Sequence, residues 1–215
     1  MEKLRDTLTS TWGRRGQVIA AIVLALVVFL SSFPQVRFHG DENNWILTSP
    51  YGEILFHGDF RNPLWDEGFW TLDAPPLARY IINAGWQAAG GIEELDFDLP
   101  WDFNQDMAAN IARGSMPGPE ILWWSRLPMA LLGALSAVMV FLLTVQAVGW
   151  WAGWLALGLF LANPFIRTSL SHAMSESPLL AFTMLMAVAG FLALRAWRKH
   201  IPEAKELSAL QPSFL

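Results

Sequence analysis

Residues 16–33 read GQVIAAIVLALVVFLSSF, a continuous apolar stretch without one charged side chain. A bilayer core of about 30 Å needs about 20 such residues in a helix. Arg14 and Arg15 precede the stretch, as a signal peptide's basic region would. The exit SSFPQ offers no A-x-A-like cleavage site, so the segment reads as a retained span. Three further apolar segments follow: 121–148, whose uncharged part begins after Arg126, then 150–166 and 178–197. With 53% hydrophobic and 15% charged residues, the chain falls well below the roughly one-quarter charged fraction of soluble domains. The expectation is an all-α integral membrane protein of four transmembrane helices.

Composition removes several function classes. Cysteine is absent, which excludes disulfide scaffolds, thiolate metal sites and thiol catalysis. The net charge of −5 argues against nucleic acid as a partner. Histidines stand only at 39, 57, 172 and 200, at no metal-ligand spacing. There is no internal repeat and no charge in the interior of any apolar segment, which disfavours a solute transporter.

Charge sets the direction. Residues 1–15 carry four basic and two acidic side chains, and so does the tail 195–215. Residues 34–120 carry four arginines against 14 acids, a net of −10. Basic segments stay in the cytoplasm. The expected organisation is therefore a cytoplasmic N-terminus (1–15), a span at 16–33, a large outer loop (34–120) and spans at 121–148 and 150–166. A second outer loop (167–177), a span at 178–197 and a cytoplasmic tail (198–215) follow, in the plasma or inner membrane. Gly149 with Trp150 and Trp151 makes a tight hairpin with interfacial tryptophans. Gly149 and Gly153 form a small-xxx-small pair, and Asn163-Pro164 ends the third span.

A connection of 87 residues is too long for a mere linker. Five tryptophans within it (45, 65, 70, 86 and 101) suit segments resting on a headgroup surface. The stretch PPLARYIINAGWQAA, 75–89, reads as a short helix begun by its prolines. Leu77, Ile81, Ile82 and Gly85 share one face, and Arg79 and Asn83 lie on another. Asp41 and Glu42 come about eight residues after the first apolar stretch, which puts two adjacent carboxylates at the membrane surface. Such a pair can supply a general base or oxygen ligands for a divalent cation.

The ordered set of a first span, Asp41-Glu42, PPLARYII, the SRLPMALLGALSAVMVFLL stretch opening at Arg126, and Glu176 before the last span resembles the GT-C type of lipid-carrier-dependent glycosyltransferases. Within these, it is most similar to the protein O-mannosyltransferase and aminoarabinose-transferase group. The resemblance covers residues 15–198 and corresponds to the N-terminal half of such proteins. Where the group usually has His before Pro-Pro, this chain has Ala74, preceded by Asp73.

The resemblance implies sugar transfer from a polyprenyl-phosphate donor on the outer face. Asp41 would be the base and Glu42 its support. Arg79 and Arg126 would hold the donor phosphate, and a divalent metal would sit among Asp41, Glu42 and Glu176. Membrane lipids, the lipid-linked sugar and other membrane protein chains are the implied partners. The competing reading is a non-catalytic subunit of a larger membrane complex, descended from such an enzyme.

Because the natural chain has no cysteine, topology is testable with single cysteines. A membrane-impermeant thiol reagent added outside is expected to label Asn104→Cys and to spare Ser208→Cys. The reverse pattern would overturn the outer placement of Asp41.

Overall fold

A computed structural model describes residues 11–66, 76–91 and 95–200 of the chain. Several residues weighed above lie outside the described ones: Trp70, Asp73, Ala74, Pro75 and the two ends. The described residues are helical, with no strand among them. Helix α1 (Thr11–Ser32) closes in a 3-10 turn, Phe33–Gln35. Short elements follow: α2 (Gly40–Leu47), α3 (Tyr51–Phe56), a 3-10 turn at Pro63–Asp66, α4 (Pro76–Ala88) and α5 (Met107–Ala112). Then come α6 (Pro119–Ala147), α7 (Trp150–Ala162), α8 (Pro164–Ser169) and α9 (Glu176–His200).

Three helical segments are long and apolar enough to cross a membrane: Gly13–Gln35, Pro119–Ala147 and Glu176–Trp197. The third apolar stretch differs from the single helix expected over 150–166. Pro164 lacks an N–H and forces a break, and the Asn163 side chain accepts the N–H groups of Phe165 and Ile166 at 2.9 and 3.2 Å. Helix α7 therefore ends at Ala162 after 13 residues, about 20 Å of rise. Helix α8 continues the chain beyond it.

The long helices pack through small residues. Ala21, Ala25, Phe29 and Phe33 recur every fourth residue on one face of α1 and are buried against Ala130, Ala134, Ala137 and Phe141 of α6. A Cβ added at Gly133 would stand 2.5 Å from the Phe29 ring, so the helices touch where the side chains vanish. Lipid tails are as apolar as leucine, so burying hydrocarbon adds little here, and close contact between small residues does the work. The opposite surfaces carry exposed Ile19, Val23, Val27, Leu155, Leu159, Leu179 and Met186, an apolar belt that water would not tolerate.

Polar contacts fix the helix directions. At one end Trp154 Nε1 donates to Gln17 Oε1 at 3.0 Å, and Arg195 donates to Gln146 at 2.7 Å. At the other end Phe33 packs on Trp123, and Ser177 Oγ donates to the Met129 carbonyl at 2.6 Å. Helices α1, α6, α7 and α9 thus alternate in direction. Arg14, Arg15 and Arg195 gather at one end, and α2–α5 cap the other. The α6–α7 hairpin turns at Gly149, whose φ of +130° is open to glycine and strained for other residues. Gly153 serves packing instead, because a Cβ there would meet Val145 at 2.4 Å.

Helix α4 forms as the sequence predicts, but its buried face is rotated. Ala78, Arg79, Ile82, Asn83, Gly85 and Trp86 are buried, whereas Leu77 is exposed. The reason lies on α6. Pro128 has no N–H to give the Trp124 carbonyl, and Gly85 packs against that oxygen; a Cβ would stand 2.2 Å from it. One residue on, Trp86 Nε1 donates to Ser125 Oγ at 2.8 Å.

This contact predicts that Gly85→Ala costs about 1–3 kcal/mol, the usual range for overpacking, because the obstacle is backbone. A thermal melt in detergent would show it as a clear fall in Tm.

Candidate active site

The capping end is organised by the start of α2. His39 is the N-cap, with φ −114° and ψ 135°. Its Nδ1 accepts the Asp41 N–H at 3.3 Å, and the Glu42 carboxylate accepts the His39 N–H at 3.0 Å. This reciprocal box satisfies two amide donors of the helix start. It also fixes the directions of the two carboxylates. Successive helix residues are about 100° apart and do not share a face. Asp41 points outward, with 43% of its side chain exposed, and Glu42 is completely buried.

Glu42 meets Arg126 of α6 in a two-pronged ion pair. Arg126 Nε donates to Glu42 Oε1 at 2.7 Å, and Nη2 donates to Oε2 at 2.6 Å. The same guanidinium donates to the Val36 carbonyl at 2.7 Å and the Arg37 carbonyl at 3.3 Å. Glu42 Oε1 also accepts the Ala173 N–H at 2.9 Å. Two ionised groups removed from solvent thus have every strong valence engaged, the condition under which a buried pair is tolerable. The pair ties together the exit of α1, the start of α2, the head of α6 and the segment before α9.

The nominated residues separate into different environments. Arg126 is 3% exposed, and its donors go to Glu42 and two carbonyls rather than to open space. Arg79 is also buried, its guanidinium 5.8 Å from the Tyr51 ring centroid, so the polar outer face expected for it and Asn83 is corrected to a packed one. Glu176 opens α9, and its buried Oε2 has no hydrogen-bond partner. The second loop does reach Glu42, but through the Ala173 backbone rather than through Glu176. Asp41 Oδ2 lies 3.4 Å from His39 Nδ1, and the His39 ring stacks at 5.7 Å on His172. Among the described residues no three His, Cys, Asp or Glu side chains come together as a metal site.

Two buried asparagines escaped the sequence reading. The Asn43 amide donates to the carbonyls of Leu99, at 3.0 Å, and Ser115, and its oxygen accepts the Trp101 N–H at 2.9 Å. Asn110 Oδ1 accepts the Asp102 N–H, and its amide donates to the Asp102 and Asp106 carbonyls at 2.9 and 3.0 Å. Both convert an irregular segment into a fixed one by satisfying its backbone groups. Nearby, the Asn104 N–H bound to Asp102 holds that exposed carboxyl below its usual range. An asparagine beside an acidic pair is no signal in itself. Only the amphipathic register of α2, which buries 42, 43 and 46 together, could have marked Asn43.

These features define a multi-pass, all-helical membrane protein whose polar centre lies at one end of the helix bundle. The chain belongs to the dolichyl-phosphate-mannose-protein mannosyltransferase family, whose model matches residues 54–209, and so has the character of a GT-C type membrane glycosyltransferase. Arg79, Arg126 and Glu176 fall within the matched range, and Asp41 and Glu42 precede it. No curated protein and no solved structure matches the chain.

Removing one partner of the ion pair should destabilise strongly, by about 3–5 kcal/mol, because the other charge stays buried. Glu42→Gln and Arg126→Met are each expected to lower Tm sharply, and the double variant less than the sum. Arg126→Lys should fail to rescue, since an ammonium cannot reproduce the planar fork. A double-mutant cycle read by thermal melting in detergent tests this; additive losses would show that the pair is not coupled.

Proposed function

We propose that this chain is a glycosyltransferase module that takes a sugar from a polyprenyl-phosphate donor at the outer membrane face, with Asp41 as general base. The observation that carries the reading is the division between the two carboxylates. Glu42 is consumed by Arg126, and this fixes α2 so that its neighbour Asp41 stands exposed at the capping end. A base must be open to its substrate and held in one place, and Asp41 meets both needs.

In the step proposed, the acceptor hydroxyl oxygen attacks the anomeric carbon while its proton passes to the Asp41 carboxylate. The bond from the anomeric carbon to the phosphate oxygen breaks. The carrier leaves as polyprenyl phosphate with the bonding electrons, and negative charge develops on that oxygen. His39 stands beside the base, its Nδ1 accepting the Asp41 N–H. If a divalent ion takes part, Asp41 and Glu176 are the carboxylates left to hold it, since the Glu42 oxygens are taken. The role proposed for Glu42 and Arg126 is to position α2, with no contact to substrate.

The proposed topology has four crossings, the fourth being α7 extended by α8. Trp154 of α7 touches Gln17 near the start of α1, and Pro164 and Thr168 of α8 border Ser31 and Ser32 at its finish. The two short helices therefore cover the height of one long one. With Arg14, Arg15 and Arg195 at the opposite end, the basic-inside tendency puts Asp41 outside.

Asp41→Asn removes the proton acceptor at nearly constant volume, and the loss of general base catalysis should lower transfer about 10²- to 10⁴-fold with Tm almost unchanged. Glu53→Gln, an exposed carboxylate on α3, is the silent control. The assay is transfer of labelled sugar from a polyprenyl-phosphate donor by the purified chain with its native partners. Undiminished transfer by Asp41→Asn would make the carboxylate a solvated span exit and favour the accessory-subunit reading.

A further inference from the structure

The proposed transfer needs positive charge beside the departing phosphate, and the two arginines nominated by the sequence are turned inward. A cavity of about 470 Å³ opens where α1 ends and α8 begins, and its walls include Ser31, Ser32, Gln35, Arg37, Arg167 and Thr168. Two guanidinium-bearing residues share this space, and no carboxylate among the described residues lines it. Neither Arg37 nor Arg167 forms an ion pair among the described residues. Among the described residues the buried Arg167 Nε has no hydrogen-bond partner, and a buried donor is ordinarily paired. Like charges sharing a partly enclosed space repel, and an anion between them would reverse that cost.

The place of the cavity narrows the anion's class. Ser31 and Ser32 are the last residues of α1, so the cavity sits where the apolar helix gives way to the polar cap. One and two turns below Ser31, on the same face, Val27 and Val23 are 58% and 53% exposed. An anionic head in the cavity would thus have open apolar surface beneath it for a hydrocarbon tail. A chain of contacts leads from the cavity to the proposed base. The Arg37 carbonyl accepts Arg126 Nη2 at 3.3 Å and lies 3.1 Å from His172 Nε2, while His172 stacks on His39, which neighbours Asp41.

We propose that the Arg37–Arg167 cavity, rather than Arg79 or Arg126, binds the phosphate of the polyprenyl-phosphate carrier. The inference rests on the transferase reading for the identity of the lipid, and on the cavity alone for the binding of a phosphate. Guanidinium groups hold phosphate oxygens with charge-assisted hydrogen bonds, and the pair would receive the charge that develops as the sugar departs.

The test uses the full chain in nanodiscs and three probes: polyprenyl phosphate without sugar, the neutral polyprenol, and inorganic phosphate. Binding of polyprenyl phosphate is expected to weaken about tenfold or more in Arg37→Gln and in Arg167→Gln, the loss for one charged hydrogen bond, and to vanish in the double variant. Arg37→Lys and Arg167→Lys should keep part of it, and these variants remain informative if a Gln variant folds poorly. Polyprenol should bind weakly and equally to all variants, and inorganic phosphate should compete only at far higher concentration than the lipid. Wild-type affinity for polyprenyl phosphate in the double Gln variant, with Tm unchanged, overturns the proposal. Inorganic phosphate binding as tightly as the lipid overturns the carrier assignment and leaves a free-phosphate site. Asp41→Asn separates the two ideas, because it should keep carrier binding while losing transfer. Arginine-dependent binding without any transfer by the wild-type chain would sink the transferase reading and keep this one.

Discussion

One buried ion pair, Glu42 with Arg126, holds the polar end of this molecule together. Its reach to Val36, Arg37, His39 and Ala173 makes it a junction between three chain segments far apart in sequence. In water such a junction would be worth little. Here it is sealed from solvent, and either charge left alone would carry a heavy desolvation cost. The long helices alone would not fix α2, because their mutual packing runs through small residues on α1 and α6 below the junction. The pair therefore sets where the short helices sit, and its geometry admits little tolerance. A planar fork and a carboxylate with two further amide donors fit in one arrangement.

The same physics explains what the sequence could and could not reveal. Long apolar segments are legible because the bilayer imposes a length, and three of the expected spans return as long helices. The break at Asn163-Pro164 is visible as a stop, yet not as the junction of two short helices, because an apolar run reads the same with or without the turn inside it. The adjacent acids misled by proximity. Two letters side by side suggest one cluster, but a helix turns them about 100° apart, and the burial of Glu42 depends on an arginine 84 positions away. Arg79 misled in the other direction. A charged residue is expected on the wet face, and only the notch formed by Gly85, Pro128 and the Trp124 carbonyl turns α4 so that Arg79 goes inward.

Asn43 and Asn110 show a related limit. Both are buried and multiply bonded to backbone groups of the segment between α4 and α6. That segment has little regular structure of its own, so its carbonyls and amides need partners from elsewhere. A short polar side chain with both donor and acceptor is well suited to the task. Nothing in local sequence distinguishes Asn43 from a solvent-exposed asparagine, because the carbonyls it satisfies are 56 and 72 residues distant.

Charge neutralisation links these observations to chemistry. The polar end contains arginines of two kinds. Arg126 is neutralised by Glu42 and is part of the frame. Arg37 and Arg167 border an open cavity without a carboxylate at its walls. A frame that already has its counter-charge cannot respond to a phosphate without breaking, since Glu42 would be left buried and unpaired. A cation facing a cavity can respond at no such cost. Electrostatic stabilisation of a leaving group depends on charge placed in advance and free to act. The partition of Glu42 and Asp41 on one side, and of Arg126 and the Arg37–Arg167 pair on the other, follows the same rule: of each kind of charge, one member is spent on the frame and another is left outside it.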